Sequence, residues 1–207
     1  MDPYLELVKD AIKNWVKFGK MIPIPQNLPK SMLEERAGVF VSLHQKGDDS
    51  LRGLPRRLAL AMRGRKPREQ VRVLRGCIGT YFPTQKNIGL EIIHNAIEAA
   101  TSDPRFPPVT QDELPQLIFS VDILSQPELV GKVVNPADLM TISTKLDPKK
   151  YGIIISAVSG RRALLLPDIP GVETIDEQVQ ICRQKAWISK DEPITISRFT
   201  VERHAHP

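Results

Sequence analysis

The sequence predicts an α+β fold in which mostly antiparallel strands carry packed helices. Three observations predict it. Apolar residues recur at helical spacing in the stretches 3–18, 87–101 and 174–187. They alternate with period two in Gly38–Leu43 and Leu117–Ile123. Finally, Ser159-Gly160 forms a two-residue hairpin signal between the runs Tyr151–Val158 and Arg161–Leu166, which would then pair antiparallel.

At the start of the chain Tyr4, Val8, Ala11, Trp15 and Phe18 form one helical stripe, and Gly19 stands where a left-handed C-terminal cap belongs. Met21–Pro29 contains three prolines and runs extended. Ser31-Met32-Leu33-Glu34 has capping-box form and predicts a short helical turn. Val39, Val41 and Leu43 share one face of a strand. Residues 87–101 form a helix whose buried stripe is Ile88, Ile92, Ala96 and Ala99, with His94 at its edge. Thr110-Gln111-Asp112-Glu113 is a second capping box, and Pro115 limits its helix to about one turn. Leu117–Ile123 reads as a half-buried strand, residues 125–138 as loop, and Pro167–Val172 as a turn. Thr174-Ile175-Asp176-Glu177 opens a helix to about Trp187 on which Cys182 lies among buried apolar residues. Ile194–Val201 is a strand with a phase slip read as a bulge, and His204 and His206 fall in a disordered tail.

Composition bounds the function. At 207 residues with 41% hydrophobic and 26% charged content, the chain can bury a core as one domain or two small lobes. The start lacks a basic leader, and no apolar run approaches about 18 residues, so no membrane-spanning segment is expected. Two cysteines make no disulfide framework, which points to a reducing cytoplasm. Residues 48–73 hold eight basic and three acidic side chains, and so carry the entire net charge of +5. The rest of the chain is neutral, which argues against general nucleic-acid binding. Any such binding would reside in that one insertion, where Leu51, Leu54, Leu58 and Met62 line one side of a potential helix. The alternative is a solvated loop extension. The segment has no aromatic residue to stack on bases.

The stretch with most chemistry is Leu74-Arg75-Gly76-Cys77-Ile78-Gly79-Thr80. In an extended strand Arg75 and Cys77 point to the same face, so the arginine's charge would favour a thiolate. Gly76 and Gly79 would let another backbone or a ligand approach closely. The alternative is an inert cysteine at a strand edge beside a glycine bulge. Downstream, Asp103-Pro104-Arg105-Phe106-Pro107-Pro108 is stiffened by three prolines, which would hold Arg105 and Phe106 in place. Asp103 could accept from nearby backbone amides or pair with an arginine. Equally, the segment could be only a rigid brace. No phosphate-binding loop, dinucleotide fingerprint, zinc-type Cys/His set or catalytic-serine elbow appears, so no cofactor and no metal are expected. Cys77 is the one candidate nucleophile, and His44, at the end of the neighbouring strand, the best candidate base.

Residues 74–80 resemble the signature of the AMMECR family. Asn95–Ala100 with Asp103–Pro108, the block Gly160–Pro167, and the closing run Ile194–His204 also fit. The resemblance implies a two-lobed α+β fold with the signature lining a cleft between lobes, and it leaves the activity open. It implies a ligand- or partner-binding site of Arg75, Gly76, Gly79, Thr80, Asp103, Arg105 and Phe106 around Cys77. It also implies partners, since relatives occur alongside radical S-adenosylmethionine proteins and Memo-type proteins, as components of a shared modification pathway. Three departures stand out. About two dozen residues separate the signature from the preceding strand, where the family has a short hairpin. Ala163 and Trp187 stand where glycines are usual.

Overall fold

The computed structural model describes residues 2–46 and 72–206. The basic stretch 48–73 lies outside the described residues except for Arg72 and Val73, which begin a strand. The chain divides into two compact units. The first comprises residues 1–80, 84–121 and 204–207, and the second residues 81–83 and 122–203.

The first unit begins with α1 (Pro3–Phe18), capped by the Asp2 carboxylate and closed by Gly19 at φ 63°. The short α2 (Lys30–Glu34) starts at Pro29 without a side-chain cap, so the capping box read at Ser31 does not form. Pro29 instead stands at the N-cap, at φ −52° and ψ 145°. Strands β1 (Gly38–Lys46) and β2 (Arg72–Thr80) pair antiparallel. Helix α3 (Ile88–Thr101) is capped by Asn87. It buries its stripe against these strands, where the Asn95 amide donates to the Val39 carbonyl at 2.9 Å. A 3-10 turn (Gln111–Gln116) with the predicted capping box leads into β3 (Leu117–Leu124). The first sheet has the order β2-β1-β3-β8, with β8 spanning Val201–Ala205. β3 is buried on both faces, not one.

The second unit is a sheet in the order β4-β7-β5-β6. Its strands are β4 (Glu128–Val133), β5 (Gly152–Ala157), β6 (Arg162–Leu165) and β7 (Ile194–Phe199). Two helices accompany it, α4 (Pro136–Ser143) and α5 (Ile175–Lys185). Residues 125–138, read as loop, contain β4 and the start of α4. Gly131, with no side chain, lets Ile142 of α4 lie against the strand. The β5–β6 hairpin closes through a longer loop than two residues. Gly160 takes φ 83° and donates to the Ala157 carbonyl, and Ala157 donates to the Arg161 carbonyl. Ile153, Ile155, Val179, Cys182, Ile194 and Ile196 share the core.

At the end of the chain the phase slip is a strand break, not a bulge. At Thr200 the chain leaves β7 and enters β8 in the first sheet. His204 is therefore ordered. Its ring stacks on Tyr4 at 3.8 Å and meets the Asp2 carboxylate at 2.8 Å.

Candidate functional site

Pairing of β1 with β2 builds the site. Val39, Val41 and Leu43, facing the core, oppose Thr80, Ile78 and Gly76, so these residues of β2 face α3. Phe40 and Ser42 oppose Gly79 and Cys77 on the other face. Leu43 opposes Gly76 while His44 opposes Leu74, which leaves Arg75 as the extra residue of a β-bulge. The bulge breaks the alternation that would set Arg75 beside Cys77.

Each signature residue then has a defined partner. Arg75 is 8% exposed, and its Nε and Nη2 donate to the two carboxylate oxygens of Glu113 at 2.6 and 3.2 Å. The same carboxylate accepts from Gln45 Nε2 at 2.8 Å and caps its own 3-10 turn. The Arg75 guanidinium holds the Glu113 carboxyl well down, at about 2. Gly76 lies under α3 so closely that a Cβ would stand 2.1 Å from the Ala99 carbonyl oxygen. Gly79 carries the ring of Phe40, 2.3 Å from where a Cβ would be. Thr80 donates at 2.7 Å to Glu91, a carboxylate buried in α3 that also accepts from the Thr84 N–H and hydroxyl and the Gln85 N–H. Both glycines and Thr80 are thus explained by packing within the unit.

Cys77 is half-buried, and the Ser42 hydroxyl donates to its Sγ at 3.1 Å. β2 is an edge strand, and at Cys77 its outer edge is closed by the proline-braced loop. Asp103 accepts the Cys77 N–H at 2.8 Å, and Arg105 Nη2 reaches the Cys77 carbonyl at 3.4 Å. Together the two side chains fill the donor and acceptor positions that a neighbouring strand would fill. They are joined to each other by a bidentate pair, Nε to Oδ1 at 2.9 Å and Nη2 to Oδ2 at 2.7 Å. This pairing holds Asp103 far below the usual carboxylate range. The Asp103 side chain is 2% exposed, whereas that of Arg105 is 54% exposed. Phe106 lies between the two guanidinium groups, 5.5 Å from Arg105 and 6.0 Å from Arg75.

The AMMECR1 family model matches residues 5–204. The chain belongs to the AMMECR1 family. A Thermotoga maritima protein is 45% identical over 98% of this chain and 97% of its own length. A Clostridium acetobutylicum protein is 39% identical over 98% of this chain, which spans only 36% of that longer protein. The crystal structure of an uncharacterised Pyrococcus horikoshii protein superposes with a TM-score of 0.71 at 26% identity, covering 99% of this chain and 95% of that one. The AMMECR1 fold here is α+β with two antiparallel sheets.

Within this AMMECR1 chain the cation beside Cys77 is Arg105, whose charge is reinforced by Asp103 first and by Cys77 after it. Sequence reasoning missed Ser42, Glu113 and Glu91. Glu113 carried a signal, since it closes a capping box, but pattern alone assigns it only that role. Ser42 stood in a β-strand opposite an unknown register, and Glu91 inside an otherwise apolar stripe. Cys182 is the inert thiol that its apolar helix face implied, with burial pushing it up to about 12. Among the described residues no cluster of metal-type ligands occurs, and no helix is long and apolar enough to cross a membrane.

Proposed function

We propose that this chain is a component of a modification pathway that also uses Memo-type and radical S-adenosylmethionine proteins. Its working surface is the cluster of Cys77, Ser42, Arg105 and Phe106, which takes a small anionic or carbonyl-bearing group. The observation that carries this reading is Arg105. Its guanidinium is fixed by Asp103 yet half exposed, and Nη1 makes no hydrogen bond among the described residues. An oxyanion meeting Nη1 would lie beside a thiol whose negative charge is favoured by the Ser42 hydroxyl and the same cation. The occurrence of this unit within a longer Clostridium chain supports action alongside further protein.

A second reading, a cysteine-dependent enzyme, is favoured by the hydrogen bond from Ser42 to Sγ. His44 lies on the same strand face, two residues beyond Ser42. Burial first, and Arg72 second, hold its pKa down, so that its imidazole is neutral near pH 7 and able to accept a proton.

Alkylation by iodoacetamide near pH 7 tests the site. Cys77 is expected to react faster than Cys182 and than free cysteine, and Arg105→Gln to slow it. Sluggish labelling of Cys77 in the folded protein discards the site. Purification from the native host tests the pathway, and repeated recovery without either partner type counts against it.

A further inference from the structure

The second unit carries a surface feature unrelated to Cys77. Helix α5 ends with the Trp187 N–H donating to the Gln184 carbonyl at 3.2 Å and the Ile188 N–H to the Arg183 carbonyl at 2.9 Å. This closure sends Ile188 into the core and sets Trp187 at φ 55°, the left-handed region that strains an L side chain. The indole is left 85% exposed. Its backbone is clamped from a second element as well. Arg161, at the end of the β5–β6 loop, donates to the Trp187 carbonyl, to Ser159 Oγ at 2.9 Å and to the Glu192 carboxylate at 2.5 Å. Glu192 accepts the Ser159 N–H at 3.2 Å, and its carbonyl takes both Nη groups of Arg183 at 3.1 Å. The hairpin tip, with Val158 76% exposed, and the turn after α5 therefore form one braced surface.

Strained backbone persists where its surroundings over-determine it, and it marks functional positions. An exposed tryptophan on a fixed backbone is suited to an interface, since tryptophan is among the side chains enriched at the energetic centre of protein interfaces. A membrane would need no such fixed geometry. The charges choose the partner. Lys190 and Asp191 are adjacent, exposed and opposite in sign. A patch holding both signs is complementary to its own copy turned about a two-fold axis, whereas a patch of one sign repels its copy.

We propose that Val158, Trp187, Lys190 and Asp191 form an isologous self-association surface, in which two Trp187 indoles pack together and Lys190 of each copy meets Asp191 of the other. The indole offers about 200 Å² of contact. With Val158 this falls short of the roughly 800 Å² per partner of a standard interface, so the dimer is weak and concentration-dependent.

Sedimentation velocity from about 10 µM to about 1 mM, the range where such small interfaces associate, tests this. The expected result is a monomer–dimer shift with rising concentration. Trp187→Gly should remove the dimer while raising the melting temperature, because glycine relieves the strain, which separates lost contact from lost folding. Asp191→Lys should also give monomer, and combining it with Lys190→Asp should restore the dimer. A wild-type chain that stays monomeric throughout, or a dimer that survives Trp187→Gly or Asp191→Lys, overturns the proposal.

Discussion

Gly76→Ala tests whether the signature glycine serves packing or a ligand. A Cβ at this position would stand 2.1 Å from the Ala99 carbonyl oxygen and 3.2 Å from its carbon, on the α3 side of β2. Ordinary contact between such atoms begins near 3.5 Å, so the last turn of α3 has to retreat from β2 by more than about 1 Å. Overpacking of this kind costs about 1–3 kcal/mol. A flexible side chain could swing clear, but a helical carbonyl cannot, and this places the substitution at the upper end, about 3 kcal/mol. For a chain of this size that lowers the melting temperature by about 6–12 °C. The comparison is Gly171→Ala, where no atom lies within 4 Å and the cost arises only from φ 83°, about 1 kcal/mol. Urea denaturation should show a lower midpoint with unchanged slope, and hydrogen exchange should quicken in the last turn of α3. A Gly76→Ala protein within about 0.5 kcal/mol of the parent refutes the packing account and returns the position to a ligand.

Three further outcomes rest on the same contacts. Glu113→Gln removes the charge facing buried Arg75 and should cost about 2–3 kcal/mol, measured by urea denaturation. Because the folded Glu113 carboxyl lies at about 2 against an ordinary 4.5, its contribution is complete above pH 4.5 and is lost as pH falls from there to about 2. The variant should therefore lose less stability than the wild type across that window in an acid titration. Glu91→Gln turns an acceptor shared by Thr80, Thr84 and Gln85 into a partial donor, with an expected cost of about 2–3 kcal/mol and faster exchange of the Thr84 and Gln85 amides. Ser42→Ala should slow iodoacetamide alkylation of Cys77 about three- to tenfold with little change in stability.

The long elements were legible because each is fixed locally. The stripe and glycine cap of α1, the Asn87-started α3, and the capping boxes at Thr110 and Thr174 all lie where periodicity put them. What failed depended on tertiary context. β4 is a short strand with a bulge of its own, recruited by pairing with β7. The break at Thr200 reflects a chain that passes from one sheet to the other, which no local pattern announces. Cys77, Asp103, Arg105 and Phe106 were grouped by the family resemblance, since pattern alone could not say that Asp103 and Arg105 would bond to the Cys77 backbone. The assignment of the cation went to Arg75, since strict alternation cannot foresee an extra residue in β2. Trp187 shows the converse. The helix terminator there is a backbone geometry, and it persists without the glycine that usually supplies it.

The exchange of Arg75 for Arg105 bears on the anion site proposed above. Drawing Arg75 onto a ligand means breaking its bidentate pair and leaving Glu113 partly buried and unpaired, a cost of about 3–5 kcal/mol. A hydrogen bond to a charged group returns only about 1.5–3 kcal/mol. The balance is unfavourable, so Arg75 stays with Glu113 and acts by holding the bulge and the 3-10 turn. Arg105 faces no such choice, because its bond to Asp103 uses Nε and Nη2, and among the described residues Nη1 makes no hydrogen bond. The two arginines should therefore separate by experiment. Arg75→Lys keeps one charge but loses the fork, and should lower the melting temperature while leaving Cys77 alkylation nearly unchanged. Arg105→Gln should slow the alkylation, and it should also lower the melting temperature, because it takes the charge away from the buried Asp103 carboxylate. Equal effects of both on the thiol would place Arg75 back at the site and show that the bulge does not isolate it.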